Sequence, residues 1–224
     1  RDDTDGPGVC SDPCLLPTVP TARVAIIQSL VVEHDMERTW NTEATTLGMT
    51  PTLLGPSALD SLANLANYDL LVVASGVQSL SPTAQATVRA FVDSGRGAYL
   101  QSEYQATYTT NVTFTNIVVG NGGTFAWTGE VVGDLGPLPV SGCFAQKPEV
   151  VTQLSYYWYG QQGTGTPTAF LSKNGQNVGF AFCLPSGALL VTTTDQDWLR
   201  TASINAAAQT LARNILSRIA FPCQ

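Results

Sequence analysis

The clearest hydrophobic pattern in the chain is a strand, helix and strand unit within residues 68–103. An unbroken apolar run at residues 70–74 predicts a strand that is covered on both faces. Ser81 and Pro82 then supply a hydroxyl cap and a first-turn proline for an amphipathic helix, and a second apolar run follows at residues 98–100. This order predicts two parallel strands joined by a right-handed helical crossover.

The same alternation of strand-like and helix-like segments occurs before and after this unit. Asp35 can cap a helix that ends at Gly48, and Ser57 can open another helix. Further strands are predicted at residues 23–30, 50–54 and 188–191, and a long closing helix is predicted before Pro222. The pattern therefore predicts an α/β domain with a largely parallel sheet.

The periodicity changes after the fourth predicted strand. Residues 112–119 are rich in β-branched side chains and favour a strand, and Asn174 and Gly175 favour the tight turn of a β-hairpin. No helix is predicted in this part of the chain. The predicted organisation is an extended arm at residues 1–22 and one domain at residues 23–224, with a β-rich insertion at residues 104–184.

The composition describes a polar but weakly charged surface. Charged residues make up 12% of the chain, whereas about 25% is usual in globular proteins. The 17 acidic and 10 basic side chains form no basic stripe, so the sequence disfavours nucleic acid or an anionic membrane as a partner. No apolar run approaches the roughly 20 residues of a membrane-spanning helix, so no span is predicted.

The cysteine content favours disulfide bonds over a metal site. The cysteines form no C-x-x-C pair and His34 is the single histidine, so zinc would lack ligands at suitable spacing. Disulfide chemistry, together with Arg1 in place of an initiator methionine, favours a processed and exported protein. Asn111 begins an N-glycosylation sequon. The five cysteines are Cys10, Cys14, Cys143, Cys183 and Cys223.

Four segments together resemble the class I glutamine amidotransferase-like superfold. They are RVAII at residues 23–27, YDLLVV at residues 68–73, Phe91-Val92 before Gly95-Arg96-Gly97, and GALLVTTTDQDW at residues 187–198. Within the superfold, the chain is most similar to the branch without amidotransferase activity, which includes ThuA-like proteins and domains of bacterial exported proteins. The resemblance covers about residues 23–102 and 168–220. It implies a flavodoxin-like, doubly wound parallel sheet with a β-rich insertion after the fourth strand.

The sequence departs from this superfold where the amidotransferases carry their nucleophile. Those enzymes place a cysteine on a glycine-flanked turn after the strand that ends here near Leu100, and a histidine follows later. This chain has Gln101, Ser102 and Glu103 at that place, and no histidine follows His34. The base that would activate a nucleophile is therefore missing, and we predict no glutaminase activity. A pairing of His34 with Ser102 or Ser75 is a less favoured alternative.

Four carboxylates are predicted to meet at one edge of the sheet. In open parallel sheets, ligands bind beyond the carboxyl ends of the strands. One interpretation is a site for Ca²⁺, Mg²⁺ or a polyol, because carboxylate oxygens suit each of these. The favoured interpretation is that Asp35 and either Asp195 or Asp197 cap helices. The residues are Asp35, Glu103, Asp195 and Asp197.

The implied fold also suggests how the cysteines pair. In this fold the closing helix runs back from the carboxyl edge, so Cys223 would emerge where Cys10 and Cys14 arrive. We therefore expect Cys223 to pair with one of those two, and Cys143 to pair with Cys183. The remaining thiol would be free or would join two copies of the chain.

These observations lead to two functional hypotheses. The first is a non-catalytic extracellular domain with the amidotransferase-like fold, in effect a pseudoenzyme, which acts in binding or as a self-assembling surface or filament subunit. The second is a carbohydrate-active or other hydrolase that uses the carboxylates at the carboxyl edge. No cofactor is predicted beyond the Ca²⁺ or Mg²⁺ of the cation interpretation.

Overall fold

The structure is a computed structural model of the chain. It describes residues 21–29, 35–132, 136–146, 148–156, 159–195, 197–200 and 204–221. Cys10, Cys14, His34 and Cys223 lie outside these ranges, and so does nearly all of the predicted arm at residues 1–22.

Within the described ranges, four α-helices and eleven strands follow one another along the chain. The helices are α1 (Met36–Thr46), α2 (Pro82–Asp93), α3 (Thr109–Gly120) and α4 (Ala206–Ile219). The first four strands are β1 (Arg23–Ile27), β2 (Thr50–Leu54), β3 (Leu70–Val73) and β4 (Gly97–Ser102). Then come β5 (Phe125–Val132), β6 (Gly136–Pro139), β7 (Gln153–Tyr156), β8 (Tyr159–Gly165), β9 (Thr168–Lys173), β10 (Gln176–Cys183) and β11 (Leu189–Thr194).

A seven-stranded sheet in the order β2-β1-β3-β4-β11-β10-β9 forms the centre of the fold. The first five strands of this order are parallel, whereas β10 is antiparallel to both β11 and β9. The order of the parallel strands is that of a flavodoxin-like sheet, with β11 in the fifth place. The expected fold class is therefore confirmed.

The apolar runs form the predicted central strands because both faces of the sheet are covered. In β1, Val24 and Ile26 face a core that contains Trp40 of α1 and Leu211 of α4. The alternate residues of β1 face a second core that contains side chains of α2 and α3, including Phe91 and Phe114. The central strands β1, β3, β4 and β11 thus contribute alternate side chains to two hydrophobic layers.

The predicted cap of α2 is confirmed. The Ser81 hydroxyl accepts a hydrogen bond of 3.1 Å from the Ala84 amide, and Pro82 is the first helical residue. Gly95 follows the helix with φ at 89°, a left-handed conformation that glycine adopts without strain. The Asn174 and Gly175 turn between β9 and β10 is also confirmed, because both residues have positive φ angles as a type I′ turn requires.

The insertion predicted at residues 104–184 differs from the structure in two ways. Residues 109–120 form α3 and not a strand, because Phe114, Ile117 and Val118 lie on one helical face that is buried in the second core. The hairpin of β9 and β10 belongs to the central sheet. The β-rich part that remains consists of two small antiparallel sheets, β5 with β8 and β6 with β7.

One smaller prediction also needs correction. Residues 56–60 and 62–65 form short 3-10 turns where the sequence predicted a helix opened by Ser57. Gly55 precedes the first turn with Pro56 at its start, and the Ser61 hydroxyl caps the second. None of the described helices is long and apolar enough to cross a membrane.

Candidate functional site

Ser102 occupies the end of β4, where the amidotransferase-like enzymes carry a nucleophile. Ser102 is fully buried, and its Oγ lies 2.7 Å from Oγ1 of Thr192 on the neighbouring strand β11. The Thr192 hydroxyl also donates a hydrogen bond of 2.6 Å to the Leu100 carbonyl. The Ser102 hydroxyl is therefore part of a buried contact between two strands and does not face solvent.

The loop that follows β3 packs directly on the backbone that follows β4. A Cβ atom at Gly76 would lie 2.5 Å from Cγ of Glu103 and 2.8 Å from the carbonyl carbon of Ser102. The Thr110 hydroxyl of α3 holds this loop through a hydrogen bond of 2.9 Å to the Gly76 carbonyl. The backbone of the Gly76 loop thus lies directly against the backbone of Ser102 and the side chain of Glu103.

Asn111 fixes the backbone at Glu103 from the first turn of α3. Its Nδ2 donates to the Glu103 carbonyl at 2.8 Å, and its Oδ1 accepts from the Glu103 amide at 2.9 Å. The residue has no exposed surface. A glycan on Asn111 would have to replace a buried amide contact, so the folded structure disfavours this site, and glycosylation of Asn111 stays a prediction.

The structure brings two of the four predicted carboxylates to one buried place. Glu103 and Asp195 are almost fully buried, and they directly follow Ser102 and Thr194, which are paired at the ends of β4 and β11. Glu103 Oε2 accepts from the Tyr104 amide at 3.3 Å. Asp195 Oδ1 accepts from the Asp197 amide at 2.8 Å.

Asp35 and Asp197 are less buried than Glu103 and Asp195. Asp35 occupies the N-cap position of α1, but its side chain makes no capping hydrogen bond and forms a 3.7 Å ion pair with Arg38. Asp197 begins a 3-10 turn after β11. In the described part of the chain, no three His, Cys, Asp or Glu side chains are grouped so that they could hold a metal ion. The four carboxylates do not form a cation site by themselves.

A polar network that the sequence did not predict lies beneath this edge. The Tyr99 hydroxyl donates to Gln101 Oε1 at 2.6 Å and lies 2.6 Å from Thr193 Oγ1. Trp198 Nε1 donates to the same Thr193 oxygen at 3.0 Å, and Gln101 Nε2 donates to the Thr193 carbonyl at 2.8 Å. Burial raises the pKa of Tyr99 well above its ordinary value, so this phenol stays neutral and joins β4 to β11.

Two cavities lie at the opposite, amino edge of the sheet. One of about 540 Å³ lies beside Asp69 and Arg96. Arg96 there donates to the Leu65 and Tyr68 carbonyls at 2.8 and 3.1 Å and stacks on Phe91. The other cavity, of about 440 Å³, lies beneath the β9 and β10 hairpin. The described cavities are thus not at the edge where sequence reasoning placed a site.

Cys143 and Cys183 both line the 440 Å³ cavity, and both are disulfide-bonded. Cys143 lies in the 3-10 turn Gly142–Ala145, and Cys183 ends β10. The expected pairing of these two residues with each other stays a prediction, because the other three cysteines lie outside the described residues.

Comparison with known proteins identifies the fold. No protein-family model matches this sequence, and no curated protein matches it. Among solved structures, the N-terminal domain of mmIFT52 superposes with a TM-score of 0.62 at 10% identity, over 85% of this chain and 93% of that one. A Parabacteroides merdae protein described as ThuA-like gives 0.57 at 11% identity, over 91% and 95% of the two chains.

A Thermoplasma acidophilum protein described as a GMP synthase subunit gives a TM-score of 0.52 at 12% identity, over 90% of this chain and 95% of that one. At these identities the likeness concerns the fold alone. The β2-β1-β3-β4-β11 order and the helices on both faces agree with it. The chain therefore has the class I glutamine amidotransferase-like fold, which a ThuA-like protein also has.

Proposed function

We propose that this protein is a non-catalytic, exported domain that uses the amidotransferase-like fold for binding or for assembly with copies of itself. The observation that supports this most directly is the state of Ser102. Its hydroxyl is buried against Thr192, and the Gly76 loop covers the backbone that follows it. A nucleophile needs an exposed oxygen or sulfur atom and a base within hydrogen-bond reach.

The proposal that the protein is exported rests on the cysteines. Five cysteines without a metal-binding spacing are typical of proteins from oxidising compartments. The disulfide-bonded state of Cys143 and Cys183 supports the same inference.

The proposal that copies assemble rests on the odd number of cysteines. Light scattering after size exclusion measures the native mass, which we expect to exceed the 23.7 kDa of one chain. The same measurement with a reductant separates covalent from non-covalent assembly. A particle with the mass of one chain at every protein concentration would contradict self-assembly and leave binding as the function.

The non-catalytic part is tested by hydrolysis assays with glutamine, p-nitrophenyl esters and p-nitrophenyl glycosides. We expect the wild type and Ser102→Ala to give the same rates as buffer. Thr192→Val, which removes the hydroxyl beside Ser102, is assayed in parallel and should likewise give no turnover. Turnover by the wild type that Ser102→Ala abolishes would contradict the proposal.

A second candidate function is a carbohydrate-active or other hydrolase. It is favoured by one observation, the burial of Glu103 and Asp195 directly after the paired ends of β4 and β11, because two neighbouring carboxylates can act as acid and base. Glycoside turnover that Glu103→Gln and Asp195→Asn each reduce, while Ser102→Ala leaves it unchanged, would establish this function in place of the first.

A further inference from the structure

The 440 Å³ cavity at the amino edge has the size of a small-molecule site. Ligand pockets usually measure about 300–1,000 Å³. Its walls come from separate parts of the fold: the 3-10 turn Gly142–Ala145, the hairpin of β9 and β10, the start of β11 and the last turn of α4. Secondary structure elements that are already packed in the core therefore define its shape.

The interior of this cavity is largely aromatic and apolar. Phe144 and Phe170 stack with ring centroids 4.1 Å apart and an angle of 23° between the rings. Both rings are almost fully buried, as are Phe182 and Leu189 on other parts of the wall. Such a lining favours a flat apolar body, because its burial removes apolar surface from water and allows ring stacking.

One charged side chain joins this apolar lining. Among the described residues that line the cavity, Arg218 carries the charge, and it is half-buried in the last turn of α4. A guanidinium group recognises a carboxylate through two parallel hydrogen bonds, and that recognition is strongest where water is partly excluded. The hydroxyls of Ser141, Thr166 and Thr168 supply further polar atoms on the wall.

We infer that this cavity is a binding site for a small monocarboxylate with an aromatic or branched apolar body. The apolar body lies among the phenylalanine rings, and the carboxylate pairs with Arg218. The site is at the edge of the sheet opposite Ser102, so this inference does not depend on whether the carboxyl edge is catalytic or whether the chain assembles.

The inference is tested with 3-phenylpropionate and its amide, 3-phenylpropanamide, by ligand-observed NMR titration of the full chain. The two probes have the same apolar body and differ in charge. We expect the acid to bind at least about tenfold more tightly than the amide, because a charge-assisted hydrogen bond is stronger than a neutral one. Equal binding of the two probes, or no binding of either, would overturn the inference.

Two variants place the binding at this cavity. Arg218→Met keeps much of the length of the side chain without its charge, and we expect it to remove the preference for the acid. Ala181→Leu adds bulk to the cavity wall, and we expect it to abolish binding of both probes. The matched control is Arg200→Met, which removes an exposed arginine at the other edge of the sheet and should leave the preference unchanged.

Thermal unfolding checks that each variant is folded, and the Arg218→Met result decides alone if Ala181→Leu does not fold. A preference for the acid that survives Arg218→Met would overturn the inference, whatever the result for Arg200→Met, because it would place the carboxylate elsewhere on the protein.

Discussion

At the scale of single residues, Gly76 and Asn111 hold the backbone after β4 in place. The alpha carbon of Gly76 lies so close to this backbone that a methyl group would overlap Glu103 and Ser102. Asn111 satisfies the amide and the carbonyl of Glu103 at the same time. Gly55, which follows β2, has no such close contact, because a Cβ atom there would meet nothing within 4 Å.

This difference gives a matched pair of substitutions. We expect Gly76→Ala to lower the free energy of unfolding by about 1–3 kcal/mol, because overpacking forces the surrounding backbone to shift. Gly55→Ala should change it by less than about 0.5 kcal/mol. Urea unfolding of both variants measures the effect, and equal effects would show that the loop after β3 can move away from Glu103.

The residues of the buried network could not be predicted from the sequence, although the polar positions were visible. Gln101 and the Thr192–Thr194 run interrupt apolar strands, which indicates that polar partners lie nearby. The partners themselves are far apart in the chain, because Thr193 lies 94 residues after Tyr99. Without the strand order, no sequence pattern links those two residues. The burial of Asn111 could not be predicted for a related reason, because a sequon does not report burial.

At the scale of elements, signals for both the start and the end of a helix predicted α2, whereas composition alone missed α3. α2 was predicted because Ser81, Pro82 and Gly95 specify its start and end. α3 was missed because its β-branched residues favour a strand. In the structure the Thr113 and Thr115 hydroxyls donate to the Thr109 and Asn111 carbonyls one turn earlier, and packing of one apolar face overrides the strand propensity.

Arg213 of α4 links this helix to α1 and to the loop that carries Glu149. It donates hydrogen bonds to Glu43 of α1 and to both carboxylate oxygens of Glu149, with a distance of 2.7 Å for Nη2 to Oε2. Asn214 beside it donates to the Phe144 and Glu149 carbonyls at 2.7 and 2.8 Å. The loop that carries Glu149 is thus fastened to α4 by two consecutive residues.

This contact makes stability depend on pH. The hydrogen bond from Arg213 holds the pKa of Glu149 below its ordinary value of 4.5. A carboxyl group with a lowered pKa in the folded state stabilises the protein above its unfolded pKa, and this stabilisation is lost as the pH falls through the folded pKa. We expect the wild type to lose more stability than Glu149→Gln between about pH 6 and about pH 3.

Chemical unfolding at several pH values measures this difference. The effect should be small, because Glu149 is half-exposed and solvent screens the ion pair. Asp60→Asn is a suitable control, since Asp60 is an exposed carboxylate in another part of the molecule. Equal pH dependence of the wild type and Glu149→Gln would show that Arg213 does not hold this carboxylate in solution.

At the scale of the whole molecule, the two described cavities lie at the edge of the sheet opposite the one where ligands usually bind in this fold. Ligands of open parallel sheets usually bind beyond the carboxyl ends of the strands. Here Gly76 and Asn111 pack on the backbone at Ser102 and Glu103, and the two cavities described above lie at the amino edge. The sequence predicts a site at the carboxyl edge from this general rule. No sequence pattern indicates that the loop after β3 and the first turn of α3 pack on the backbone after β4.

The disulfide bonds of Cys143 and Cys183 bear on the stability of the whole fold. We expect reduction to lower the free energy of unfolding by about 2–4 kcal/mol, because a disulfide bond restricts the unfolded chain. Peptide mapping without reductant should find Cys143 linked to Cys183. A link from either of them to Cys10, Cys14 or Cys223 would contradict that pairing, and unchanged stability on reduction would contradict a structural contribution.

The edge strand β2 restricts how copies of the chain could associate. The Thr50 amide donates to the Ala22 carbonyl next to β1, so the following residue, Pro51, directs its backbone away from the sheet. Proline has no amide hydrogen there, which leaves an incoming strand without one of its ladder bonds. Addition of a further strand is thereby disfavoured at this edge of the described sheet, so copies of the chain that associate through β2 are expected to do so through side-chain contacts.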